Sequence, residues 1–292
     1  MKDQFNKGLL LTSLGSFWWG FIGVIYFQYV SFIGHIELVV HRCLWTAVML
    51  LLTTTFFSKW SLFKRIIKNK NYLFGLFISG FLIFINWSVW IYAVATERII
   101  DASFGYFIMP IISVLLGYIF FKEKLNKKRI FSIILVSISI LILIFFNLKS
   151  LPWVGLIVAF SWAFYNLIRK KIDVDTDIGL FIESLYILPF ALVAFYLITK
   201  AGVNDFNFSN PGLSLFLILA GPMTVIPLFL YVRGVELIGL GPTGMIFYIT
   251  PTLQFILGYF YYNEDFSIIK FVSFIIIWIA VIIYLKDLYE TN

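Results

Sequence analysis

Charge is what this chain has least of. Only 13% of its 292 residues are Asp, Glu, Lys or Arg, about half the share of a soluble domain. Hydrophobic residues make up 61%, against about 45–50% in soluble domains, and the mean hydropathy is +0.97. No water-soluble fold of this length hides so much apolar surface, which leaves an all-α integral membrane protein. Cysteine is nearly absent: Cys43 alone allows no intrachain disulfide and no cysteine metal cluster. The two histidines are a poor catalytic supply, and the sequence has no H-E-x-x-H helix or nucleophile elbow with a plausible triad. No G-x-x-x-x-G-K-[ST] loop is present, so ATP drive is not encoded. We therefore expect no enzyme activity, no cofactor and no metal. A cleavable signal peptide is not expected either, because the first apolar run is too long and no small-residue site follows it.

What the chain does have is long apolar runs. A spanning helix needs about 20 mostly apolar residues, and ten runs qualify, at 8–30, 36–57, 72–95, 102–121, 129–147, 152–168, 178–198, 212–232, 241–261 and 267–286. The net charge of +7 sits in short clusters between them, such as Lys64-Arg65-Ile66-Ile67-Lys68 and Lys127-Lys128-Arg129. That pattern signals topology and not nucleic-acid binding. With the N-terminus inside, seventeen of the 22 cations fall in cytoplasmic segments and four (Arg98, Lys149, Lys200, Lys270) outside; Arg42 is the remaining one. Ten spans with both termini cytoplasmic are expected.

The run 104–123 (FGYFIMPIISVLLGYIFFKE) parallels 245–264 (MIFYITPTLQFILGYFYYNE). Pro110 matches Pro251, Gly117-Tyr118 matches Gly258-Tyr259, and Glu123 matches Glu264, each at the same offset. IELVVHR (36–42) matches IGLFIES (178–184), so His41 aligns with Glu183, and SFWWGF matches FSWAFY loosely. Two five-helix repeats follow, 1–147 and 148–292. Five is odd, so the halves must lie in the membrane with opposite orientations. The basic connection after Glu123 and the acidic Glu264-Asp265 agree with that inversion. Inverted repeats mark alternating-access transporters with a site near the midplane.

Ionisable residues inside spans are costly and usually face the interior. Glu37, His41, Arg42 and Glu183 are the candidates. Arg42 lies six residues past Ile36, about 9 Å into its helix. Its planar fork suits a substrate carboxylate, and Glu183, at similar depth from the other surface, suits an amine or a proton. The two are expected to line one path; the alternative is that Arg42 caps carbonyls or pairs with Glu37. Trp18, Trp19, Trp87, Trp90, Tyr106, Tyr165 and Tyr248 stand within spans where an interfacial belt does not explain them, with Asn86 beside Trp87. Aromatic walls with few polar groups suit a small amphipathic molecule. Pro110 and Pro251, with Gly105 and Gly244 nearby, are expected to break the backbone ladder mid-helix as hinge or pocket residues. Glu123 and Glu264 are expected to fix the turns beside them.

Several stretches carry a family resemblance: His41-Arg42 with Trp45, Asn86-Trp87, Ala102 to Phe107 with Pro110, Phe164-Tyr165 with Arg169-Lys170-Lys171, and Pro251-Thr252-Leu253. On these the chain resembles the drug/metabolite transporter superfamily, the EamA type, and within it the RarD branch. The resemblance implies tandem EamA domains, a bacterial inner-membrane location and transport of small organic solutes. Relatives commonly place glycine before the glutamate after helices four and nine; Lys122 and Asn263 stand there here. The expected function is secondary transport of a small amphipathic metabolite (an amino acid, a related compound or a drug), driven by protons or exchange. The expected partners are that solute and membrane lipid. A non-transporting receptor or assembly subunit, and an intramembrane enzyme, are the rival readings.

Overall fold

The computed structural model describes residues 2–95, 99–147, 153–172, 174–207, 209–260 and 268–291. Every regular element among them is helical. Hydrocarbon offers backbone N–H and C=O groups no water, so long apolar runs satisfy their own hydrogen bonds as helices. The first half begins with α1 (Lys2–Phe17), which passes through a π-helical turn (Trp18–Ile22) into α2 (Gly23–Tyr29). Then come α3 (His35–Phe56), the short α4 (Trp60–Ile66), α5 (Lys70–Ala95), α6 (Ile99–Phe121) and α7 (Lys127–Asn147). The second half contains α8 (Trp153–Lys171), α9 (Thr176–Lys200), α10 (Pro211–Ile238), α11 (Leu240–Ile246), α12 (Ile249–Phe260) and α13 (Ile268–Thr291). Among the described residues, seven helical stretches are long and apolar enough to cross a membrane. The other three runs read from the sequence fall on α6, on α8, whose last turn is Arg169-Lys170-Lys171, and on the interrupted pair α11–α12. The outside of the bundle suits lipid: Phe74, Phe145, Phe190 and Phe260 stand exposed.

The basic clusters gather at one end of the bundle. Lys59, at the α3–α4 turn, reaches Asp177 (2.6 Å) and Asp175 (3.3 Å) at the start of α9. Arg129, entering α7, pairs with Asp287 near the end of α13 (2.8 Å). Lys170, ending α8, lies 3.8 Å from Glu123 and donates to the Val235 carbonyl on α10 (3.3 Å). At the opposite end, Glu37 of α3 accepts the N–H groups of Asp205 (2.9 Å) and Phe206 (3.1 Å), and Tyr26 donates to the Phe216 carbonyl (2.7 Å).

Glu123 serves a more distant partner than its own turn. Its carboxylate accepts the N–H groups of Leu240 (2.8 Å) and Gly241 (2.9 Å), the first two residues of α11, whose amides have no intrahelical acceptor. Lys122 holds φ at +54°, the left-handed region that glycine enters freely. The turn is thus built with lysine in a glycine-like conformation, and the Glu123 N–H bonds back to the Gly117 carbonyl (3.1 Å). Glu264, Asn263, Lys149 and Thr96-Glu97-Arg98 lie outside the described residues.

The helices pair closely. α1 runs along α10 and α5 along α8; α3 lies on α9 and α10, and α9 on α5. α6 lies on α8 and α11, α1 and the π turn on α11 and α12, and α7 on α13. Small residues permit this, as lipid-embedded helices require. A Cβ on Gly105 would strike the Gly155 carbonyl, and one on Gly20 would stand 2.9 Å from the Thr250 Cα. The two prolines are placed differently. Pro110 does sit inside α6, removing the donor to the Tyr106 carbonyl. Pro251 is the third residue of α12, where its missing N–H has no helical partner to lose. The interruption falls earlier, at Phe247 and Tyr248. There the Tyr248 hydroxyl donates to the Phe107 carbonyl (2.7 Å), and the Phe247 ring lies 5.7 Å from that of Tyr106.

Candidate functional site

Between helices of both halves lies a partly open cavity, narrow in this conformation, with a volume of about 50 Å³. Trp19, Gly23 and Phe27 form one stripe four residues apart, running from the π turn into α2. Such π turns recur at functional sites; this one carries Trp19 while Gly20 lets the chain close on Thr250. Arg42 comes from α3, Asn86, Trp87 and Trp90 from α5, Tyr106 from α6 and Trp162 from α8. Phe247, at the interruption, joins Thr250 and Gln254, three and seven residues on. The rings lock one another: Trp19 meets Trp162 edge-on at 5.0 Å, and Trp90 meets Phe27 at 5.4 Å.

Arg42 is 5% exposed. Its guanidinium lies over the Phe27 ring (5.0 Å) and the Trp87 ring (4.6 Å), and each such contact attracts a cation to the ring's electron-rich face. Aromatic faces do not fill N–H donors, and its Nε has no hydrogen-bond partner among the described residues. No described carboxylate pairs with it either; Glu37, the acid nearest in sequence, is engaged elsewhere. Asn86 donates to the Val158 carbonyl (2.9 Å) and to Ser161 Oγ (3.1 Å), so what it has left to offer a ligand is its amide oxygen. The cavity thus combines aromatic walls, one buried cation with an open donor, and neutral amides.

The other residues singled out in the sequence sit elsewhere. His41 faces away from the cavity lining: Trp45 Nε1 donates to its Nδ1 (3.1 Å). An indole N–H only donates, so Nδ1 is the bare nitrogen and Nε2 carries the hydrogen toward Glu37 (3.4 Å). His41 and Glu37 together tie α3 to the loop at 205–206. Glu183 does not line the cavity with Arg42. It accepts from Ser79 (2.5 Å) and Tyr165 (3.2 Å) and lies 3.5 Å from Arg169 Nη1. Arg169, fully buried, also donates to the Thr176 carbonyl (3.1 Å). A Cβ on Gly179 would overlap its guanidinium. Trp18 sits in the π turn outside the lining, its Nε1 without a partner among the described residues. Tyr248 is spent on the Phe107 carbonyl, and neither Pro110 nor Pro251 lines the cavity.

The sequence reading missed Gly23, Phe27, Trp162, Phe247, Thr250 and Gln254. Trp162 carried a signal, standing in the stretch that matches SFWWGF; Phe247, Thr250 and Gln254 share one helical face by spacing, but nothing local says that this face is the inner one.

The EamA-like transporter family pattern matches residues 6–145 and again 150–286. The chain belongs to the EamA-like transporter family. Its relatives include Protein RarD of Escherichia coli (strain K12), 33% identical over 99% of this chain and 97% of that one. Uncharacterized transporter YojE of Bacillus subtilis (strain 168) is 33% identical over 96% of this chain and 93% of its own. Chloramphenicol-sensitive protein RarD of Pseudomonas aeruginosa is 24% identical over 85% and 83%. A solved crystal structure superposes with TM-score 0.71 over 96% of this chain and 98% of its own, at 12% identity, a likeness of fold. This EamA-family chain is a multi-pass bacterial membrane transporter of the drug/metabolite kind and RarD-like. Its cavity draws on both matched stretches, Trp19 to Tyr106 from the first and Trp162 to Gln254 from the second.

Proposed function

We propose that this protein is a secondary transporter carrying small amphipathic solutes across the bacterial inner membrane by alternating access, with the aromatic cavity around Arg42 as its transport site. The observation that carries the reading is that a buried cation, without a carboxylate partner among the described residues, lines a cavity shared by both halves. We assign substrate contact to Arg42, Trp19, Asn86, Trp87, Trp90 and Tyr106, joined by Trp162, Phe247 and Gln254. His41, Glu183, Tyr165, Tyr248 and Trp18 hold the surrounding helices, and Pro110 supports the α6 side. Proton coupling or exchange provides the drive.

The fold is read as ten spans in two inverted repeats, 1–147 and 148–292, with both termini cytoplasmic. Three observations support this. The helix pairings are nearly unchanged when the halves are exchanged: α1 on α10 becomes α8 on α5, and α3 on α9 and α7 on α13 map onto themselves. Equivalent residues also meet each other, Phe107 with Tyr248 and Tyr106 with Phe247, as residues beside a two-fold axis do. The basic segments assigned to the cytoplasm lie together at one end, as the positive-inside bias requires.

The test is counterflow in proteoliposomes across amino acids, organic acids, amines and amphenicols. Saturable flux of at least one class, lost in Trp87→Ala and reduced in Arg42→Gln, supports the reading. Absence of flux for every class from folded protein overturns it.

A further inference from the structure

We propose that the ligand of this cavity is an organic monoanion with a flat apolar body, in preference to a zwitterion or an amine. The inference rests on the transport reading above and names the charge class of its substrate. It starts from charge balance. Arg42 is the one charged group among the described lining residues. The two buried acids that might have neutralised it are committed: Glu37 to His41 and the 205–206 amides, Glu183 to Ser79, Tyr165 and Arg169. A buried cation without a counter-charge is expensive, and ring faces offset only part of that cost. A carboxylate entering the cavity restores neutrality and fills the open Nε donor, in the planar geometry that a guanidinium matches with two parallel bonds.

A zwitterion brings the same carboxylate but leaves the described lining with its ligand at a net positive charge. Its ammonium finds no carboxylate among the described lining residues, only the amide oxygens of Asn86 and Gln254 and the remaining ring faces. The Phe27 and Trp87 faces are already held by Arg42. An amine meets that cation with nothing to bind. The apolar requirement comes from the rest of the wall: Trp19, Trp90, Trp162 and Phe247 offer aromatic surface to a ring-sized body.

The experiment uses full-length protein in nanodiscs and four probes that share one phenyl group: hydrocinnamate, phenylalanine, phenethylamine and hydrocinnamyl alcohol. Binding is measured by calorimetry and flux in matched proteoliposomes. We expect hydrocinnamate to bind about tenfold tighter than each of the others, and Arg42→Gln to remove that preference. Arg42→Lys keeps charge without the fork and retains part of it. The wild-type ranking tests the proposal even if the variants do not fold. Equal or tighter binding of phenylalanine or phenethylamine overturns it, as does no hydrocinnamate binding at millimolar concentration, or anion binding by Arg42→Gln at wild-type strength. Preferential anion binding with no flux of any solute sinks the transport reading instead. Flux that favours phenylalanine or phenethylamine sinks the anion class and leaves transport standing.

Discussion

Removing the Glu123 carboxylate tests how the two halves are joined at the basic end. This side chain, about one-fifth exposed, accepts two short N–H bonds from the start of α11 and stands 3.8 Å from Lys170. A hydrogen bond to a charged group contributes about 1.5–3 kcal/mol, and a carboxylate at a helix N-terminus adds about 0.3–1 kcal/mol. Discounting for partial exposure, Glu123→Ala should cost about 3 kcal/mol, taken as the lower part of those ranges. Glu123→Gln keeps one acceptor but loses the charge, so its cost should be about half. At roughly 2–4 °C per kcal/mol for a chain of this size, the alanine variant should melt about 6–12 °C below wild type and the glutamine variant between the two. The assay is thermal unfolding of purified protein in one detergent at one scan rate, since membrane proteins often unfold irreversibly. Lys170→Ala, which leaves both amide bonds in place, should fall by less than Glu123→Ala. An alanine variant within about 2 °C of wild type, or a glutamine variant as damaged as alanine, would refute the reasoning.

Lys122→Gly should raise the melting temperature. Relief of a left-handed conformation worth about 1–2 kcal/mol exceeds the glycine entropy cost of about 0.5–1 kcal/mol; a lowered midpoint in the same assay speaks against that. Gly105→Val should separate α6 from α8, because even a Cβ strikes the Gly155 carbonyl. Its expected signature is a loss of monodisperse protein in size-exclusion chromatography, and wild-type behaviour would contradict the close approach. Tyr248→Phe should cost about 1 kcal/mol through the lost bond to the Phe107 carbonyl; an unchanged midpoint would show that the contact is dispensable.

The extent to which the sequence foretold this structure depended on range. Apolar runs and cation clusters are local signals, and they found the helices and the basic end, because burial in lipid and positive charge act on each segment alone. Trp19, Arg42, Asn86, Trp87, Trp90 and Tyr106 were singled out because polar or large aromatic groups stand out against a lipid-facing background, and these six share the cavity. What stayed hidden depends on which faces meet. Glu183 read as an open charge because its partners, Ser79 on α5 and Arg169 on α8, are set by packing. His41 read as a site residue because its tie through Glu37 to the 205–206 loop spans 168 residues, more than a whole repeat. Pro251 marked an interruption but not its place, since proline is tolerated in a first helical turn and the bend falls at Phe247–Tyr248.

Alternating access requires that one cavity be reached from both sides of the membrane. Cys43, the chain's single cysteine, is buried, so a Cys43→Ala background carrying Gln254→Cys reports on the cavity alone. Labelling by a membrane-impermeant maleimide from each face of sealed, oriented vesicles is the most direct measurement. Gln254→Cys should react from both faces and be protected by a transported solute. Reaction from one face only, with solute flux intact, would contradict alternating access at this cavity.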